Sequence, residues 1–278
     1  MVQDLERTRQ KNFFPATAPA AYPVFYRTYS RRGEAAGNYR ENWGQVCDRT
    51  LAGLVELGQL TDDEAALISR MQRQLKALPS GRWLWVGGTA WSKKPENYSG
   101  AYNCTSTNVV DWRAFGLMMD LAMMGCGTGA VLEPKYINQL PTIRNRLSVV
   151  MRSEIGATPA SQRQELTEVK IAGDRVEIQV GDSRQGWVQS YQTLLELSAD
   201  KQFSGQVEVI VDLSHVRPAG EKLKGFGGVA NPIRLPGLYG RCANILNKAL
   251  GRKLNSVECC LLIDEAAACV VAGNIRRC

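Results

Sequence analysis

Histidine is almost absent: the 278 residues include one, His215. The eight cysteines include no Cys-X-X-Cys pair. A structural zinc site needs several such ligands at close spacing, so no metal ligand is assigned. Long apolar runs are also missing. None reaches the ~20 residues that cross a bilayer, and the opening MVQDLERTRQKNFF lacks the apolar stretch of a secretion signal. The expectation is a cytoplasmic protein with no membrane partner. Thiols stay reduced in that compartment, so the cysteines are not a disulfide framework. They are buried small hydrophobes or redox-active groups. No run of Lys and Arg approaches a nucleic-acid tail, and no nucleic-acid partner is expected.

What is present is ordinary globular material. Hydrophobic residues make up 44% and charged residues 22%, enough to bury a core. The net charge of +7 suits an anionic ligand such as a nucleotide or phosphate, and equally a solvated surface with a mild basic excess.

Residues 1–38 carry Pro15, Pro19 and Pro23 among aromatics and read as an extended arm. Trp43, Val46, Cys47, Leu51 and Leu54 have helical spacing. Thr61 followed by Glu64 is a capping box that opens a second helix, which Pro79-Ser80-Gly81 should stop. Residues 101–110, AYNCTSTNVV, read as a strand. Asp111 can cap the next helix and Gly125 can end it. Residues 139–165 are polar and helix-prone. Residues 167–180 alternate around Ala172-Gly173-Asp174 and predict a β-hairpin. QVEVIVDLS is a further strand, and helices are expected over 238–250 and 256–272, the last ended by Gly273.

Several segments invite chemistry. GCGTG at residues 125–129 follows a helix and precedes a strand. That is the reverse of a phosphate-binding loop, so it reads either as a helix stop with a tight turn or as a close-approach surface for a ligand. KGFGGVANP at residues 224–232 precedes a helix and suits an anion-contacting loop, or a plain connection. Cys104 sits in a strand between polar neighbours, which can tune a thiol, whereas a free cysteine is more often buried and inert. His215 reads as a hydrogen-bonded structural histidine.

Taken in order, ALPSGRWLWVGGT, YNCTSTNV, MMGCGTGAVLEP, GDSRQGW, VRPAGEKLKGFGGVANP and GRKLNSVE with VVAGNIRR resemble the monomeric, adenosylcobalamin-dependent (class II) ribonucleotide reductases. The resemblance runs from about residue 75 onward. It implies an α/β fold: an N-terminal helical region (1–100), a first segment of a ten-stranded α/β barrel (101–134), an inserted α+β effector-site segment (135–210) and a further barrel segment (211–278). It implies thiyl-radical reduction of a ribonucleoside triphosphate with adenosylcobalamin as cofactor, and places the chain in the N-terminal part of such an enzyme. A non-catalytic nucleotide-binding module of the same fold is the alternative.

By the same resemblance Cys104 is one member of the reducing cysteine pair. Thr89, Asn103, Gly125, Cys126, Gly127, Thr128 and Gly129 should lie along the substrate. Lys224, Gly225, Phe226, Gly227 and Gly228 should contact a deoxynucleotide effector. A thioredoxin-type reductant should restore the thiols. The radical cysteine, the partner of Cys104 and the electron-passing cysteine pair are expected downstream. In the family, Asn274-Ile275-Arg276-Arg277 would be followed by serine and alanine; here Cys278 stands there. An intein junction between Arg277 and Cys278 is the expectation, since a thiol at that place can attack the preceding carbonyl, with a simple truncation or a frameshift at Cys278 as the alternative.

Overall fold

The computed structural model describes residues 14–31, 40–221 and 230–270. The chain divides after Ala101 into two units, residues 1–101 and 102–278.

The described part of the first unit holds four α-helices, α1 (Ala21–Thr28), α2 (Trp43–Gly58), α3 (Asp62–Arg73) and α4 (Gly81–Val86), and a short 3-10 helix over Pro95–Ala101. The arm expected over 1–38 is therefore helical in part. Pro23 falls in the first turn of α1, where its missing N–H has no intrahelical partner to lose. The helix exists because its aromatics have somewhere to go. Phe25 is buried against Trp43, with ring centroids 5.3 Å apart, and Phe14 stacks on Phe25. Asn42 and Gln45 cap α2 reciprocally, and Thr61 and Glu64 do the same for α3, as the capping box predicts. Buried Gln72 donates to Thr50 Oγ1 at 2.7 Å and ties α3 to α2. The chain leaves α3 at Arg73, and Leu75 takes a left-handed conformation (φ 57°). Pro79-Ser80-Gly81 then opens a helix rather than stopping one: the Ser80 hydroxyl accepts the Trp83 N–H at the start of α4.

The second unit begins with a β-α-β crossover. β1 (Cys104–Asn108), α5 (Trp112–Met123) and β2 (Gly127–Val131) follow in order, and the two strands pair in parallel. Asp111 accepts the Ala114 N–H and caps α5. At the other end Gly125 is left-handed (φ 80°), its N–H donates to Ala122 O, and the Cys126 N–H donates to Leu121 O. This is the two-bond glycine stop that ends a helix and redirects the chain. Gly125 is thus explained by backbone geometry.

After a single helical turn, α6 (Pro134–Ile137), come β3 (Arg146–Met151), β4 (Glu168–Ala172), β5 (Arg175–Gln179), α7 (Arg184–Leu197), β6 (Gln206–Asp212), α8 (Leu235–Lys248) and α9 (Ser256–Cys269). The helix-prone reading of 139–165 fails at β3. Leu147 is buried while Arg146 and Ser148 face out, and the strand pairs in parallel with β6, whose partner residues lie 60 positions away. Buried Asn145 sets its start by donating to Leu197 O and Asp200 O. The hairpin at Gly173 is present, with Ala172 opposite Arg175 and Gly173 at φ 62°. The sheet order is β3-β6-β5-β4. β6 runs through position 210, so the sheet continues past the segment boundary expected there, and from residue 235 to residue 269 the described chain is mainly two helices.

Among the described residues the six strands form two separate sheets, one of two strands and one of four. The core of the second unit gathers Phe115, Met118, Met119, Tyr191, Leu194, Val209 and Tyr239 from α5, α7, β6 and α8. Among the described residues no helix is long and apolar enough to cross a membrane.

Candidate active site

Cys104 is the first residue of β1, and its thiol is exposed. The strand alternates, so Cys104, Ser106 and Asn108 share the exposed face while Thr105 and Thr107 are half-buried on the other. Register with β2 places Gly127 opposite Cys104 and Gly129 opposite Ser106. A Cβ at Gly127 would stand 3.5 Å from Cys104 Sγ, and one at Gly129 would stand 3.2 Å from Thr105 O. Because neither position has a side chain, the thiol and the Ser106 hydroxyl look out over bare backbone. The result is a polar strip whose floor lets a ligand approach closely.

Asn103 joins this strip through its backbone: its carbonyl accepts the Gly127 N–H at 2.8 Å. Thr128 follows Gly127 in β2, opposite Thr105. Cys126 is buried, with its thiol 3.2 Å from Tyr102 O, so it supports the strand ends from behind. Asn103, Cys104 and residues 125–129 are therefore brought together. Thr89 belongs to the first unit, where its hydroxyl donates to Val86 O at 2.6 Å. Residues 224–228, Arg277 and Cys278 lie outside the described residues. Ser106 and Asn108 were not singled out from the sequence, although the two-residue period of a strand places both beside Cys104.

Among the described cysteines Cys104 and Cys260 are exposed and the other five are buried. Burial pushes the thiols of Cys47 and Cys259 up to about 12 and that of Cys269 up to about 11, and it also raises that of Cys242. Cys260 is exposed; its partial desolvation comes first and the nearby Asp264 carboxylate second in raising its thiol. Thiolate is the reactive form. Native-state alkylation should reach the exposed Cys104 and Cys260, while buried Cys47, Cys242, Cys259 and Cys269 wait for unfolding. Peptide mapping by mass spectrometry reads each position, and protection of Cys104 equal to that of Cys242 would contradict the exposed-strand geometry.

His215 does the structural work expected of it: its Nδ1 accepts the Gln164 N–H at 2.8 Å. Nearby, Arg217 donates to Asp182 at 2.8 Å and Arg163 grips the Glu221 carboxylate at 2.8 and 2.9 Å. Gly220 N–H donates to Ala230 O, and Ala230 N–H donates to Glu221 O. The chain on either side of residues 222–229 is thus drawn together and anchored to the ion-pair network.

Residues 147–239 match the family described as the insertion domain of B12-dependent ribonucleotide reductase. The chain is 27% identical to the adenosylcobalamin-dependent ribonucleoside-triphosphate reductase of Lactobacillus gasseri over 96% of its length and 41% of the relative's. It is 28% identical to the protein of the same name from Lactobacillus helveticus, over 95% of this chain and 41% of that one. In fold it is similar to a crystal structure of a B-12 dependent (class II) ribonucleotide reductase, with a TM-score of 0.72 and 22% identity over 91% of this chain and 40% of that one. The chain spans about two fifths of the length of these relatives.

Proposed function

We propose, from a chain related to the adenosylcobalamin-dependent ribonucleotide reductases in sequence and fold, that it is part of a ribonucleoside-triphosphate reductase and supplies one of the two thiols that reduce the ribose. The observation that carries the reading is Cys104. It is an exposed thiol at the head of a parallel strand, opposite a glycine, in a polar strip open to a ligand.

The overall change balances with a second thiol from elsewhere in the enzyme. Two thiols give up two electrons and two protons, and an S–S bond forms. The C2′–O bond of the ribose breaks, a C–H bond takes its place, and water leaves. Cys104 provides one sulfur of that bond and a proton for the departing hydroxyl. A thioredoxin-type dithiol then restores it by exchange. Ser106, Asn108 and the bare backbone at Gly127 and Gly129 orient the sugar.

Adenosylcobalamin dependence is carried in the relatives' names. Among the described residues, the groups around Cys104 are a thiol, a serine hydroxyl, an asparagine amide and glycine backbone. That set fits a sugar and not a corrin, so the cofactor enters by relationship and the residues here act on the substrate side. Residues 224–228 would take the deoxynucleotide effector. The net charge of +7 is in keeping with two polyphosphate ligands.

The test is a single turnover of the full-length enzyme without external reductant. After one equivalent of deoxynucleotide forms, Cys104 should have lost its alkylation and should appear in a disulfide-linked peptide. Product formation with Cys104 still fully alkylatable would refute its role.

A further inference from the structure

The four-stranded sheet ends on β3, and the outer edge of that strand is only partly closed. Register with β6 decides which backbone groups face where. Arg146 N–H donates to Gly205 O and Arg152 N–H to Val211 O, so the even-numbered residues of β3 bond inward to β6. Leu147, Val149 and Met151 therefore turn their N–H and C=O groups to the outer edge. At Leu147 both groups are already taken. The Asn247 carboxamide on α8 accepts the Leu147 N–H at 2.8 Å and donates to Leu147 O at 2.9 Å, as the backbone of a neighbouring strand would. Val149 and Met151 have no such partner among the described residues. The same stretch carries exposed apolar side chains: Val150 is 46% exposed and Met151 38%.

The start of the strand is positive. Arg144 and Arg146 are exposed, and neither pairs with a carboxylate among the described residues. Glu208, opposite Ser148 on β6, pairs with Arg175 on β5 at 3.8 Å instead. Lys248 follows Asn247 in the last turn of α8 and is exposed at the same end. Three cations thus gather beside the first residues of the edge, and two apolar side chains lie at its far end. The opposite edge of the sheet differs. β4 carries Glu168 and Lys170, charges of both signs, and so does not select a partner by charge. A second copy is a poor occupant of the β3 edge. Two β3 strands paired antiparallel about Val149 would set Arg146 opposite Arg152, like charge against like.

We infer that the outer edge of β3 is a docking site for an extended, acidic segment of a partner protein, which adds to the sheet as a further strand. The partner's backbone bonds the open groups of Val149 and Met151. Its acidic end lies beside Arg144, Arg146 and Lys248, and its apolar end covers Val150 and Met151. The main-chain bonds hold the segment, while the cations choose its sign and fix its register.

The experiment uses the full-length protein and two acetylated, amidated peptides, Glu-Asp-Glu-Val-Thr-Val-Thr-Val and its reverse, since a strand can enter in either direction. Binding is read by titration and by amide hydrogen exchange at Val149 and Met151. One of the two peptides should slow exchange at both amides by at least about fivefold, with β4 unaffected. The same peptide with lysine in place of its acidic residues should not. Arg146→Glu should weaken binding of the acidic peptide by about tenfold, because an attraction becomes a repulsion. Met151→Pro removes one N–H from the outer edge and none from the ladder to β6, so it should cost about fivefold, the scale of one hydrogen bond. Exchange in β6 checks that each variant is folded; if Met151→Pro is not, Arg146→Glu decides alone. Absence of protection by both acidic peptides overturns the inference, and so does equal binding of the lysine peptide. Protection of the two amides before any peptide is added, at every protein concentration, would mean that the protein's own chain covers the edge. Protection that grows with protein concentration would mean that a second copy does. Either result also overturns it.

Discussion

Replacing Cys104 by serine is expected to abolish turnover by at least about 10³-fold in the full-length enzyme, while nucleotide affinity stays within about twofold. The asymmetry follows from the site. Serine keeps the size and the hydrogen-bonding character of the thiol, and the position is exposed, so neither β1 nor its pairing with β2 is disturbed. Oxygen cannot take the thiol's place in a disulfide, so no electron pair is delivered. A variant that binds substrate normally and does not reduce it separates a chemical role from a packing role. The internal control is Cys242, which is fully buried in the core of the second unit. There serine would leave a hydroxyl in apolar surroundings, and the loss should show in stability. Wild-type turnover by the Cys104→Ser enzyme would end the reading of this strand as the reducing site.

Features set by local backbone rules could be read directly. The caps at Thr61 and Asp111, the glycine stop at Gly125, the hairpin at Gly173 and the accepting His215 each depend on residues within a few positions or on a single bond. Features set by distant partners could not. α1 forms because Phe25 meets Trp43, and β3 forms because β6 returns beside it; neither partner is visible in a local window. Arg49 is an unremarkable helical arginine until Gly87, 38 positions later, comes back under its guanidinium. The GDSRQGW segment shows both sides. Its motif was legible, but its physical reason was not. Gly181 and Gly186 are bare because the backbone at Glu165 and Leu166 lies against them, Ser183 caps α7, and Arg184 crosses to Asp120 on α5 at 2.5 Å. The candidate site draws on two different signals. Family resemblance pointed to Cys104, and strand alternation alone would have added Ser106 and Asn108.

Two left-handed glycines differ in surroundings, and their alanine variants should differ accordingly. Gly88→Ala is expected to destabilise the first unit by about 2–5 kcal/mol, and Gly173→Ala its own hairpin by about 1–2 kcal/mol. Both substitutions force an L side chain into a positive φ, 72° at Gly88 and 62° at Gly173. Only the first also meets a wall. At Gly173 a Cβ has nothing within 4 Å, because the hairpin tip projects into open space. At Gly88 it overlaps the Arg49 carbonyl, which is helix backbone and cannot rotate away as a side chain would. Relief would require α2 and the turn at Gly87 and Gly88 to separate, which breaks the bonds from Arg49 to Gly87 O and from Trp83 to Thr50 O. The difference between the two variants isolates the steric term, since the conformational term is common to both. Denaturant unfolding, with hydrogen exchange assigning each loss to its unit, measures it. Equal losses at the two positions would show that the turn and α2 are not in the close contact described.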